Sequence, residues 1–372
     1  MILFSYFLFI FILLIGEFMK YIISFPHLAN YYVPAKYLFS HILDCDILVG
    51  PSITNKTIEL GSKYSPDFVC TPFKYTLGNF IESLDMGANV LIQYGGGCRY
   101  GYYYMLQEKI LYDLGYKFKM INFVTAGKTD LKKIISYLKD IDPKFNKFKG
   151  FYYLLITKEM VKYMDIIDDY IRKNIGFEEV TGSFIKIRNE MLDSFSQVHG
   201  YFDLRKVYKN YLNKIHNNRI NKPVKPLRVG IIGELYSVME DFANYNLEYD
   251  LASKGVEITR FTNATYLLFK KRNIVKKYLK KINNIKYKLG ADAVDNIYFT
   301  KWFCDNKFDG IIHIKSAFCT PEILSMGIIN KICKENDVPV IFFSFDSNTS
   351  EVGIKTRLEA FYDMIEMRKN NE

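Results

Sequence analysis

The signatures that usually announce an enzyme are missing from this chain. There is no Gly-x-x-x-x-Gly-Lys-Ser/Thr loop, which excludes a P-loop nucleotide hydrolase. The apolar run ending at Gly230-Ile231-Ile232-Gly233 lacks Gly-x-Gly-x-x-Gly spacing, so a dinucleotide site there is unsupported. Neither a Gly-x-Ser-x-Gly elbow nor a His-Glu-x-x-His pair occurs. Six cysteines (Cys45, Cys70, Cys98, Cys304, Cys319, Cys333) are scattered over 372 residues with no Cys-x-x-Cys pair. That excludes a compact disulfide framework and argues against structural zinc. It reads instead as reduced thiols or metal ligands in a cytosolic setting.

With 49% hydrophobic and 24% charged residues, the composition is that of an ordinary globular protein, long enough for two domains. The 30 Tyr and 30 Phe, with abundant Lys, Asn and Ile, point to coding bias more than to function. The net charge of +10 has the same origin, although it also attracts anionic ligands or partners. The longest apolar run is residues 1–18, about the length of a short membrane span. It has no basic n-region and no small-residue cleavage site. It reads as an extension ahead of a start at Met19, or as an anchor. Folding is expected to survive its removal.

From Met19 onward short apolar runs alternate with helical segments. Tyr21–Phe25, Asp46–Val49, Ala88–Gln93 and Lys117–Val124 read as strands, which argues for a parallel sheet covered on both faces. Residues 128–217 carry helical periodicity only, and 218–226, with two prolines, read as a linker. A second α/β unit begins at Leu227. The expected fold class is therefore α/β: two Rossmann-like parallel-sheet domains (19–127 and 227–372) with a helical insertion between them. Ser237–Lys254 reads as one helix, and Ala264 to about Asn296 as another. Within the latter Lys270, Lys271, Arg272, Lys276, Lys277, Lys280, Lys281, Lys286 and Lys288 read as a solvated helix face. Nucleic-acid binding is not expected, since no base-reading motif accompanies the charge.

Chemistry collects around Gly95-Gly96-Gly97-Cys98-Arg99-Tyr100-Gly101, between a buried strand and a helix. Glycines there let backbone approach a ligand closely, and a helix N-terminus favours thiolate. Cys70-Thr71-Pro72 and Cys319-Thr320-Pro321 echo that setting, each ahead of a helix with Pro in its first turn. Loops after strands are where open α/β sheets bind ligands. Cys70, Cys98 and Cys319 could therefore share one iron–sulfur cluster, with one iron left open for substrate or water. The alternative is three separate small buried hydrophobes, which spacing alone favours. Cys45, Cys304 and Cys333 read as core. Glu234, after a strand and Gly233, is either a proton donor facing the crevice or a helix-cap carboxylate. Arg99 pairs either with an anionic group or on the surface. His27, at a strand end, reads as structural.

Phe73-Lys74 and Asn79-Phe80-Ile81-Glu82 after Cys70-Thr71-Pro72, the Gly97–Tyr103 run, Gly233-Glu234-Leu235-Tyr236, Phe318–Glu322, Glu351-Val352-Gly353 and Thr356–Phe361 together resemble the 2-hydroxyacyl-CoA dehydratase superfamily. Within it the chain is similar to the activase-related proteins and to the dehydratase cluster-binding subunits. The similarity runs from about Met19 to Arg368, least in the helical middle. The resemblance implies a [4Fe-4S] cluster on Cys70, Cys98 and Cys319, with Gly96, Gly97, Arg99 and Glu234 beside it. It also implies low-potential electrons from a separate ATP-dependent activase, an acyl-CoA or other small substrate, and a homo- or heterodimer. Relatives often carry a further Cys just before the Cys-Arg-aromatic-Gly run, where this chain has only glycines, so three matching thiolates remain. Two other readings stand beside this one: a non-catalytic cluster scaffold or maturation partner, and a membrane-anchored binding protein if residues 1–18 are translated.

Overall fold

A computed structural model describes residues 20–125, 127–270, 275 and 289–371. Two four-stranded, all-parallel sheets organise it. The first contains β1 (Ile22–Phe25), β2 (Asp46–Val49), β3 (Val90–Gln93) and β4 (Lys119–Asn122), in the order β2-β1-β3-β4. Helices α1 (Tyr32–Ile42), α2 (Asn55–Tyr64), α3 (Thr71–Asp85) and α4 (Tyr103–Asp113) connect them. All four residues of β3 are buried, and they alternate between two cores, as the period of a strand requires. Val90 and Ile92 pack with Phe39 and Ile42 of α1, whereas Leu91 packs with Phe73 and Leu77 of α3 and Leu111 of α4.

After β4 the chain does not run on as one strand to Val124. The Asn122 side chain donates to Val124 O (3.1 Å) and Thr125 Oγ1 (3.0 Å) and bends it. A two-residue antiparallel hairpin, β5 (Val124–Thr125) with β6 (Lys128–Thr129), follows. Four helices come next: α5 (Leu131–Ile141), α6 (Lys147–Asn174), α7 (Ser183–Ser196) and α8 (Tyr201–His216). The 28-residue α6 packs Met160, Met164 and Ile167 against Phe184, Phe195 and Leu204, and against Val33 and Tyr37 of α1.

The second sheet has the order β10-β9-β7-β8, with β7 (Leu227–Gly233), β8 (Val256–Arg260), β9 (Gly310–Ser316) and β10 (Val340–Phe345). The expected helix over 237–254 is broken into α9 (Leu235–Met239) and α10 (Leu247–Ala252). Tyr245 and Asn246 adopt left-handed backbone (φ 57° and 56°), and Asn244 donates to Ser237 O while accepting from Leu247 N. That side chain offers the backbone local partners that a continuous helix would not. After β8, Tyr266–Lys270 forms a π-helical turn. Most of the basic run from Lys271 to Lys288 lies outside the described residues, as do residues 1–18. The next helix given a range is α11 (Ala293–Asp305), which follows Gly290 and Ala291 with positive φ. Then α12 (Thr320–Glu335) and α13 (Glu351–Asn370) cover opposite faces of the sheet. Among the described residues no helix is long and apolar enough to cross a membrane.

Gly233, the last residue of β7, sits at φ +147°, and a Cβ there would lie 1.8 Å from Ile314 O of β9. Only glycine lets β7 pass β9 this closely. Gly233→Ala is expected to destabilise the protein by more than about 2 kcal/mol, read as a lower denaturation midpoint at unchanged m-value.

Candidate functional site

The loop after β3 is fixed by buried amides. Gln93 Nε2 donates to Gln107 Oε1 (2.8 Å), and Gln107 Nε2 donates to Thr76 Oγ1 (2.7 Å), joining β3, α4 and α3. Gln93 Oε1 accepts from Tyr94 N (3.0 Å) and the Tyr100 hydroxyl (3.3 Å), which holds the glycine run between them. Gly95 has φ +70°, and a Cβ there would meet Val124 O at 1.7 Å. Its backbone therefore yields to protein, not to a ligand. Gly96 packs against Tyr100, whereas space around Gly97 is open.

Cys70 and Cys319 occupy equivalent places as the N-caps of α3 and α12, each with Pro in the first turn. Cys98 instead caps a short 3-10 helix, Arg99–Tyr102, that precedes α4. Its Sγ accepts from Tyr100 N at 3.4 Å. Cys319 makes no side-chain capping bond, and the nearby Glu322 backbone acts only to favour its thiolate. Cys70 Sγ lies 3.0 Å from the Tyr103 hydroxyl, whose ring stands edge-on to Phe73 at 4.8 Å. Cys304 and Cys333 are buried core residues, and Cys45 is half-buried.

The two α/β units close on these loops. Thr71 N at the head of α3 donates to Ser316 Oγ at the end of β9 (2.9 Å). Arg99 Nη2 donates to Phe318 O (2.8 Å), one residue before Cys319. Phe68 stands edge-on to Phe318 at 5.5 Å, and Tyr75 stacks on Tyr236 at 5.5 Å. Between them lies a cavity of about 340 Å³ lined by Cys70, Gly97, Cys98, Arg99 and Tyr103 from one side, and by Gly290, Thr320 and Pro321 from the other. Cys319 is the residue immediately before that far wall.

Burial decides the electrostatics. It pushes the Cys70 thiol up to about 12 and raises those of Cys98 and Cys319, outweighing the helix ends that favour thiolate. Each thiol also lies within the field of Glu234, a cap whose carboxylate accepts from Tyr236 N (2.8 Å), Ser237 N (3.0 Å) and Ser237 Oγ (2.7 Å). Burial nonetheless lifts Glu234 to about 7. So Glu234 is both a helix cap and a neighbour of the thiols.

Several further residues complete the surroundings, of which Lys315 and Asn296 were not singled out from the sequence. Lys315, on β9, is buried, and its ammonium makes a long bond to Ala317 O (3.5 Å). Burial lowers its pKa against the pull of Cys319 and Glu322. Glu322 is buried and accepts from Asn296 Nδ2 (2.9 Å) beside His313 Nε2 (2.8 Å). Asn296 also bonds Gly233 N and O, so it ties the Glu234 turn to the Cys319 helix. A lysine inside the apolar run Gly310–Ile314 and Ser316 was the available signal for Lys315. His27 lies apart from the thiols, its ring stacked on Tyr32 at 5.0 Å and 3.9 Å from Glu240.

Among the described residues no three His, Cys, Asp or Glu side chains are placed to hold one metal ion. The chemistry of the site is that of soft sulfur donors, with an N–H bond to Cys98, a hydroxyl beside Cys70 and an ammonium nearby.

Because Glu234 has an ordinary value of 4.5 and about 7 in the fold, folding favours its protonated form. That contribution is complete below about pH 4.5 and is lost as pH rises through about 7. Glu234→Gln stays neutral throughout. Thermal melts from pH 4.5 to 8 should show the mutant losing less stability than wild type, by roughly 1–3 kcal/mol across that window.

No curated protein matches the chain. The family model for the 2-hydroxyglutaryl-CoA dehydratase D-component matches residues 270–365, about a quarter of the chain. The matched stretch includes Cys319, β9, α12 and β10 but neither Cys70 nor Cys98. That family is generally associated with iron–sulfur clusters, with an activase partner and with acyl-CoA substrates. Through this stretch of its second α/β unit the chain is similar to the 2-hydroxyglutaryl-CoA dehydratase D-component family.

Proposed function

We propose that the chain is the cluster-bearing component of a dehydratase-like system. In this reading Cys70, Cys98 and Cys319 hold one [4Fe-4S]-type cluster in the crevice, and an ATP-dependent activase supplies its electron. The carrying observation is the cavity itself, which two of the thiols line and which ends on the helix turn that the third caps. Bound there, the cluster supplies one-electron reduction at low potential, for an acyl-CoA thioester or another small substrate.

The chain's own groups divide the remaining tasks. The N–H bond from Tyr100 to the Cys98 sulfur, with the Lys315 ammonium near Cys319, offsets negative charge on the sulfur ligands. Arg99 spends one nitrogen on Phe318 O and keeps other donors for an anionic group at the cavity mouth. Gly97 keeps that wall free of side chain. Glu234, poised near neutrality, gives or takes a proton at its carboxylate.

Anaerobically purified protein should be brown and contain iron and sulfide, and Cys98→Ala should lose most of its iron while melting near wild type. Colourless, iron-free wild-type protein after anaerobic reconstitution would sink the reading. Assay with an activase, ATP and reductant then separates an enzyme from a scaffold: ATP hydrolysis without conversion across an acyl-CoA panel assigns the scaffold.

A further inference from the structure

A second cavity of about 340 Å³ lies away from the thiols, between α6 and the loop after β8. We propose that it binds an alkylated organic cation, a quaternary or alkyl ammonium group. Five rings line it: Phe261, Tyr266, Tyr298, Phe299 and Trp302. They brace one another, with Phe261 stacked on Phe299 at 4.7 Å, Phe261 edge-on to Trp302 at 4.9 Å, and Tyr266 edge-on to Phe299 at 5.3 Å. Ring faces carry negative quadrupole density, so a cage of them attracts a cation that brings apolar surface with it.

The charge in the wall has the matching sign. Asp165 of α6 lines the cavity at 3% exposure. Its carboxylate accepts from two neutral donors, the Tyr31 hydroxyl and Thr265 N (2.7 Å). Among the described residues no basic side chain lies within ion-pair distance of it. The other charged groups lining the cavity are already matched. Asp169 pairs with Arg172 at 2.7 Å, and Lys162 pairs with Glu159 at 3.2 Å. Asp168, one turn from Asp165, adds to the negative field and faces Arg188 at 4.0 Å. A buried carboxylate without a counter-ion is costly, and a bound cation offsets that cost.

The same features exclude other ligands. An anion would meet Asp165 and the ring faces. A bare metal ion would find no set of three ligating groups among the described residues. The location agrees with ligand binding, since the cavity opens at the carboxyl end of β8 and one wall comes from the π-helical turn that carries Tyr266. This inference does not depend on the thiol crevice.

The chain holds a single tryptophan, Trp302, and it lines this cavity, so intrinsic fluorescence reports on occupancy directly. Full-length protein is titrated with choline, with its uncharged isostere 3,3-dimethylbutan-1-ol, and with sodium chloride as the ionic-strength control. Choline should change Trp302 emission saturably, with Kd of about 1 mM or tighter, and the neutral isostere should bind at least about tenfold more weakly. Asp165→Asn should weaken choline about tenfold, the effect of losing roughly one charged contact. Tyr298→Leu, which leaves the Asp165 bonds in place, should also weaken it. If Asp165→Asn fails to fold, the choline–isostere comparison in wild type still decides. No saturable change with choline, or an equal response to the neutral isostere, overturns the proposal.

Discussion

The arrangement of this protein turns on one hydrogen bond, from Thr71 N to Ser316 Oγ. The N–H is one of the unpaired donors at the head of α3, and the hydroxyl stands at the carboxyl end of β9. Pairing them sets a helix N-terminus of one α/β unit on a strand end of the other. Cys70, the cap beside Thr71, then lines the crevice, and Cys319 directly precedes the Thr320–Pro321 wall opposite it. The Arg99–Phe318 bond and the Tyr75–Tyr236 stack close the same seam on either side. Without that closure each thiol would be an isolated cap on its own unit.

Much of this was legible locally. The two Cys-Thr-Pro runs announced capped helices because Pro at the start of a helix is a short-range signal. The strands of both sheets were legible as short apolar runs, and β9 even marked its odd residue, a lysine among isoleucines. What sequence could not carry was the partner of each loop. Thr71 and Ser316 are 245 residues apart, and nothing near either one specifies the other. The breaks in the expected helix over 237–254 were hidden for a different reason. Its periodicity is sound, but Asn244 gives Ser237 O and Leu247 N local partners, and a polar residue that can do this competes with the helix.

The glycine run shows how a correct motif can be explained by the wrong cause. Flexibility before Cys98 suggested room for a ligand. At Gly95 the room is taken by the Val124 carbonyl of the small hairpin, and only Gly97 faces open space. The hairpin, which sequence reading merged into a strand, is therefore what shapes the loop. Gln93 and Gln107 then lock it, and their amides act at a distance that no linear motif records.

The two cavities set the same physical problem with different chemistry. Around the crevice, burial raises the Cys70, Cys98 and Cys319 thiols although helix N-termini pull them toward thiolate. In the proposed reading a soft cation would replace the thiol protons, with the Tyr100 N–H and Lys315 near the negative charge. In the aromatic cavity, Asp165 accepts two neutral hydrogen bonds, and among the described residues no basic side chain pairs with it, which is the ground for the proposed cation. The metal-like partner proposed for one and the organic cation proposed for the other follow from the donors present: sulfur binds soft metal, whereas rings and a lone carboxylate suit an alkylated ammonium. Each cavity also opens at strand carboxyl ends, where a parallel sheet leaves its loops free to vary without disturbing the cores beneath.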